Sequence, residues 1–305
     1  MTRYVVRRVL EAAFTLFVVS FATFLLLKAM PYNLAALSAG PRATPEMVVQ
    51  LAHEMGLDKP LPLQFLFWLR QTLSTGAALA ATYAPPNLEL LGLGSAVAAL
   101  CAFAIAYVQA KRPNSLFDRG MSLITFVLFT FPSFWVGFVL IFIFGIQLLW
   151  LPAAGPNLDP SSQGFSNWTL GMILPVATLA LTTIATWTTY FRGAIEEALR
   201  SDYIRTARAK GLPENQVIVV HVLRNALLPA ITIAGLSLPT LFNNVIVIEW
   251  IFGMPGLGSS LVLALTQFNY GVAVDLVVVI GAVTILGSLL ADLLYAAADP
   301  RIHFV

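Results

Sequence analysis

Glu196-Glu197-Ala198-Leu199-Arg200-Ser201-Asp202-Tyr203-Ile204-Arg205-Thr206-Ala207-Arg208-Ala209-Lys210-Gly211-Leu212-Pro213 is a polar interval between two apolar runs, residues 172–191 and 226–248. Five of the chain's 17 Lys/Arg residues (Arg200, Arg205, Arg208, Lys210 and Arg224) fall in or just after it, although only 10% of all residues are charged. Each flanking run is long enough to cross about 30 Å of hydrocarbon. A charged island placed this way belongs in water at a membrane face, where a partner can reach it.

Hydrophobic residues make up 58% of the 305 residues, and the mean hydropathy is +0.83. An ordinary soluble domain carries about 45–50% apolar residues. The excess is gathered in runs, which predicts an all-α polytopic membrane protein rather than two soluble domains. A net charge of +2 is too small and too localised for nucleic-acid binding. Cys101 is the single cysteine, so no disulfide forms within the chain.

Six spans can be read outward from the island. Arg3, Arg7 and Arg8 precede the first, 9–27, which Met30-Pro31 closes as a retained span rather than a cleaved signal peptide. Residues 31–84 read as a long extracytoplasmic loop with short helices. In it Thr44, Pro45 and Glu46 make a helix start, with a hydroxyl cap, a proline at the first position and an acid in the first turn. Gly56 is the stop, and 63–73 is a second, amphipathic helix. Pro85-Pro86-Asn87 opens span two, 88–108, where Gly92 and Gly94 allow close helix approach.

Span three, 120–150, carries no charge. Pro132 either kinks it or separates a short entry helix from the span proper, making Phe131-Pro132-Ser133-Phe134-Trp135 an irregular aromatic element. Span four, 171–190, is rich in threonines whose hydroxyls can bond to their own helix. Span five, 226–248, is interrupted by Gly235 and Pro239. It contains Asn243-Asn244, which are costly in a membrane unless paired or hydrated. Glu249 closes it, before the turn-rich Ile251-Phe252-Gly253-Met254-Pro255-Gly256-Leu257-Gly258. Span six, 272–295, ends at Asp299-Pro300-Arg301.

Charge counting orients the six. With both termini inside, Arg3, Arg7, Arg8, Lys111, Arg112, Arg119, Arg192, Arg200, Arg205, Arg208, Lys210, Arg224 and Arg301 are cytoplasmic. Only Lys28, Arg42, Lys59 and Arg70 are outside. This asymmetry is the positive-inside pattern. The cytoplasmic loop then covers 192–225. Within it Tyr203 to Lys210 can form about two helical turns. Gly211 ends them, and Pro213-Glu214 starts the next helix. Thr206, Ala207 and Ala209 permit close docking, and Arg205, Arg208 and Lys210 can make charge-assisted bonds. On physics alone, a docking lever and an ordinary positive-inside loop both remain open.

Tyr203-Ile204-Arg205-Thr206-Ala207-Arg208-Ala209-Lys210-Gly211-Leu212, followed by His221-Val222-Leu223-Arg224-Asn225-Ala226-Leu227-Leu228-Pro229, resembles the cytoplasmic EAA-type loop of binding-protein-dependent ABC importer permeases. The version is similar to the first permease of the dipeptide/oligopeptide/nickel group. Tyr4-Val5-Val6-Arg7-Arg8, Met55-Gly56-Leu57-Asp58-Lys59-Pro60, Phe131-Pro132-Ser133-Phe134-Trp135, Leu151-Pro152-Ala153-Ala154-Gly155 and the 249–258 segment extend the resemblance from end to end. Arg205 stands at the motif's eponymous acidic position, and Phe268-Asn269-Tyr270-Gly271 departs from the commoner Arg-Asp-Tyr-Pro pattern.

The resemblance implies a permease domain over residues 1–305 in a prokaryotic cytoplasmic membrane. Its implied partners are a second homologous permease, two ATPase subunits and an extracytoplasmic solute-binding protein. Tyr203, Arg205, Thr206, Ala207, Arg208, Ala209, Lys210 and Gly211 would form the coupling helix seated in an ATPase cleft. ATP and Mg would bind the ATPase partners. This chain has no Gly-rich Lys-Ser/Thr phosphate loop, and no cofactor or metal is expected in it. Phe134, Trp135, Trp187, Asn243, Asn244 and Glu249 are candidates for the pathway, with bundle packing as the alternative. Phe252, Pro255, Gly256 and Gly258 are candidates for an outer gate. The expected solute is a dipeptide or oligopeptide; nickel complexes and oligosaccharides are the alternatives within the group. A membrane scaffold or receptor without transport is the alternative of another class.

Overall fold

The computed structural model describes residues 2–29, 35–36, 43–156 and 165–298. Pro31, Pro41, Arg42 and the expected closing signal Asp299-Pro300-Arg301 lie outside the described residues. The regular elements are helical: α1 Thr2–Ala29, α2 Pro45–Glu54, α3 Leu61–Lys111, α4 Leu116–Thr130 and α5 Ser133–Leu140, the last continued by π-helical Ile141–Gln147. Then come α6 Phe165–Arg200, α7 Asp202–Ala209, α8 Glu214–Gln216 with π-helical Val217–Leu223, α9 Arg224–Phe252, α10 Leu257–Thr266 and α11 Tyr270–Ala298. Among the described residues, five helices are long and apolar enough to cross a membrane, and six if α4 and α5 count as one span bent by 107°. The chain is thus an all-α polytopic membrane protein.

The described residues divide into two compact units. One comprises Thr2–Asn87 and Pro255–Leu289. Its α1 meets the start of α3 through an aromatic cluster: Phe65 lies edge-on to Phe17, Phe21 and Phe24, at 5.8, 5.4 and 5.4 Å between ring centroids. Such pairs add to the burial of large apolar area. The α2 start follows the sequence reading, since Thr44 accepts the Met47 N–H at 3.3 Å and Pro45 opens the helix. Gly56 follows with φ +65°, a conformation glycine adopts without strain. Thr72 donates to Asp275 Oδ1 at 2.6 Å, and the Asn87 amide oxygen receives the Leu257 N–H at 3.0 Å.

Helix α3 departs from expectation. The sequence predicts a separate helix at 63–73 and a new start at Pro85-Pro86; one 51-residue helix runs through both prolines. Two N–H donors are lost there. Ala-rich sequence before the prolines and Leu-rich sequence after them are both strong helix formers, and membrane helices tolerate proline where neighbours satisfy the freed carbonyls.

The other unit comprises Leu88–Met254 and Leu290 onward. Ala98, Ala102, Ala106 and Ala110 form a buried stripe at fourfold spacing on α3. A Cβ on Gly94 would come within 2.6 Å of Leu179 on α6, so this glycine is needed for close helix approach, whereas nothing lies within 4 Å of one on Gly92. On α6, Thr178 and Thr183 donate to the carbonyls four residues back at 2.8 and 2.6 Å, so their hydroxyls are spent inside the helix. Phe131 is extended (φ −86°, ψ 134°) and Pro132 caps α5, which makes the break between α4 and α5 a true interruption.

Candidate functional site

Helix α6 does not stop at its apolar run but continues to Arg200. Ser201, extended at φ −71° and ψ 150°, then separates it from α7. Ile204 and Ala207, three apart, face inward at 0% and 5% exposure and join the same core cluster as Val217 and Val222. Tyr203, Arg205, Thr206, Arg208, Ala209 and Lys210 are exposed. The helix is therefore fixed along one edge and displayed along the rest. Gly211 closes it at φ +75°, with its N–H on the Arg208 carbonyl at 2.9 Å. No atom lies within 4 Å of where its Cβ would be, so glycine is required here by conformation rather than space. Arg208 makes a two-pronged bond to Glu214, Nη2 to Oε1 at 2.7 Å and Nε to Oε2 at 3.2 Å. These bonds hold the Glu214 carboxyl below the usual carboxylate range and raise Arg208.

The pathway candidates are dispersed. Phe134 and Trp135 on α5 are 46% and 43% exposed, and the Trp135 ring stacks on Phe131 at 4.0 Å. Ser133 donates to Asn244 Oδ1 at 3.4 Å, which ties this aromatic element to α9. Asn243 is exposed and Asn244 half-buried. Trp187 is enclosed instead: it is 3% exposed, and its indole N–H donates to Ser237 Oγ at 3.1 Å. Glu249 is fully buried. Of the outer-gate candidates, Phe252 belongs to the second unit and Pro255, Gly256 and Gly258 to the first. Phe252 accepts the Gly155 N–H at 2.7 Å, and a Cβ on Gly155 would overlap Met254. Gly256 donates to Ser259 Oγ at 2.9 Å; Gly256 and Gly258 are buried.

A network joining α4 to α6 escaped the sequence reading. Asp118, 4% exposed, lies in the first turn of α4, and its two oxygens face the Arg192 guanidinium on α6. The Arg192 Nη2 to Asp118 Oδ2 distance is 3.2 Å, and Nη1 pairs with Oδ1. Arg192 Nε donates to Glu196 at 2.7 Å. Asp118 also receives the Asn114 N–H at 2.8 Å and the Gln109 amide at 3.2 Å. A cavity of about 470 Å³, lined by Gln109, Thr125, Thr188 and Arg192 among others, adjoins it. The one legible signal was Ser115 three residues before Asp118, a capping pattern; Ser115 Oγ does accept the Asp118 N–H at 3.1 Å.

Comparison with known proteins covers the whole chain. The family described as "Binding-protein-dependent transport system inner membrane component" matches residues 94–304, and its N-terminal counterpart matches residues 1–88. The oligopeptide transport system permease protein AppB of Bacillus subtilis (strain 168) is 34% identical over 316 residues, covering 100% of both chains. The di/tripeptide transport system permease protein DppB of Pseudomonas aeruginosa (strain UCBPP-PA14) is 32% identical over 333 residues, covering 99% of each.

Proposed function

Because the chain belongs to the family of binding-protein-dependent transport system inner membrane components, we propose that it forms half of the translocation pathway of an ATP-driven importer of dipeptides or oligopeptides. Permease subunits of this kind are transport components and not themselves catalysts. The peptide solute rests on likeness to relatives named as oligopeptide and di/tripeptide permeases over their full length. The chain crosses the membrane six times, the bent α4–α5 pair counting once, with both termini inside. The Lys/Arg asymmetry supports this orientation. A second permease, two ATPase subunits and an extracytoplasmic binding protein complete the assembly.

The observation that carries the reading is α7. Ile204 and Ala207 join it to the core cluster of Val217 and Val222, next to the start of α9, while Tyr203, Arg205, Thr206 and Lys210 are exposed. An ATPase cleft that grips the exposed edge moves the ends of α6 and α9 with it, because the buried edge cannot slide without opening the core. Phe134, Trp135, Asn243 and Asn244 line the pathway. Trp187 and Glu249 meet solute only when the helices part. An apolar conduit with few charges passes varied peptides, and tight recognition is left to the binding protein.

Reconstitution of the complete assembly in liposomes, with labelled di- and oligopeptides on the binding-protein side, tests this. ATP-dependent accumulation is expected. Stable assembly with accumulation of nickel complexes alone, or of nothing, overturns the peptide assignment.

A further inference from the structure

We propose that Asp118 and Arg192 are positioning residues for transport coupling: their ion pair carries the displacement of α7 to the bent helix pair α4–α5. The inference rests on the transport reading above. Arg192 lies on the same continuous helix that ends at Arg200, one residue before the extended Ser201 that separates it from α7. From Arg192 to that end is about two turns of rigid helix. Asp118 lies in the first turn of α4, which runs to Thr130 and the 107° bend into α5. Beyond the bend, Ser133 reaches Asn244 on α9. The ion pair therefore joins the element that α7 moves to the element that carries Phe134 and Trp135.

The pair is not needed to close the turn around Asp118. Local bonds already do that: the Asn114 N–H on Asp118 Oδ2 at 2.8 Å, the Asp118 N–H on Ser115 Oγ at 3.1 Å, and the Gln109 amide on the Asp118 carbonyl at 3.3 Å. Arg192 reaches across 74 positions to a carboxylate that is otherwise locally held. Its Nε is fixed by Glu196, one turn along α6, so the fork points at Asp118 in one geometry. To the apolar packing between the two helices, a two-pronged guanidinium–carboxylate contact adds a directional restraint, because both bonds lengthen at once when one helix shifts along the other. That is the property a transmission contact requires.

The test separates transmission from folding. Asp118→Asn/Arg192→Gln removes both charges, so no buried charge is stranded and the fold is retained. In the complete reconstituted assembly this variant is expected to assemble and hydrolyse ATP as the parent does. Solute taken up per ATP should fall roughly 2- to 30-fold, the range for changes along a coupling route. A second readout needs no solute. With Cys101 replaced by serine, spin labels at Glu197 on α6 and Phe126 on α4 should keep one separation with and without ATP in the parent. In the double variant, ATP should shift or broaden it. Uptake per ATP within twofold of the parent, a separation as fixed as the parent's, a separation that moves in the parent too, or failure of the neutral pair to assemble each overturns the inference. A parent assembly that takes up no peptide counts against the peptide reading, and the spin-label result still decides this one.

Discussion

Two two-pronged arginine–carboxylate pairs bracket the displayed helix in sequence, one through Nε and Nη2 of Arg208 and the other through Nη1 and Nη2 of Arg192, and their settings are opposite. Arg208–Glu214 has side chains 46% and 51% exposed; Arg192–Asp118 has 28% and 6%. In the first, water already solvates both partners, salt screens them, and the pair contributes little. In the second, the carboxylate has left water, and removing its partner strands a charge. The same chemistry thus serves as a local fastener at the turn after α7 and as a fixed joint between helices. What distinguishes them is burial, which no motif records.

The greatest loss is expected at the buried pair. Arg192→Ala should destabilise the protein by about 3 kcal/mol, the low end for breaking a buried pair, since Asp118 keeps its Gln109 and Asn114 bonds. Thermal unfolding in detergent measures this, and a loss no greater than that of Arg208→Ala would erase the distinction. Gly211→Val comes next. A β-branched residue at φ +75° should cost about 1–3 kcal/mol with no steric clash to relieve. It should also uncouple ATP hydrolysis from uptake while the spans stay inserted; parent-level coupling would show that the turn is not part of the lever.

At the exposed end, Glu214→Gln should cost under about 1 kcal/mol, with the effect vanishing in high salt. Glu214 is lowered by Arg208, so its contribution is complete above the ordinary value of 4.5 and is lost as pH falls through the lowered folded value. Unfolding of the parent and Glu214→Gln should therefore differ at neutral pH and converge in acid. A difference that grows in acid would have the wrong sign.

The parts legible in sequence were those written in local chemistry. The α7 helix, its stop at Gly211, the Thr44 cap with Pro45, and the interruption at Phe131-Pro132 each depend on a few adjacent residues whose backbone preferences agree. Charge at Arg192 marked the end of an apolar run but not of a helix, because hydropathy reports the solvent and not the hydrogen-bond ladder; α6 runs on to Arg200. Pro85-Pro86 misled for a related reason: proline signals a break only where flanking sequence does not insist on helix. Trp187 drew attention as an aromatic that could face a conduit, yet its indole N–H is satisfied by Ser237, 50 positions away. The Asp118–Arg192 joint spans 74 positions, and a single sequence holds no trace of such a pairing.

The exposed edge of α7 is proposed as the surface a cytoplasmic ATPase holds. A photo-crosslinking residue in place of Thr206 tests it in the complete assembly, with Val49, 70% exposed on α2, as the comparison site. The Thr206 position is expected to join to an ATPase subunit and the Val49 position is not. No product at Thr206, or an equal ATPase product at Val49, would contradict it.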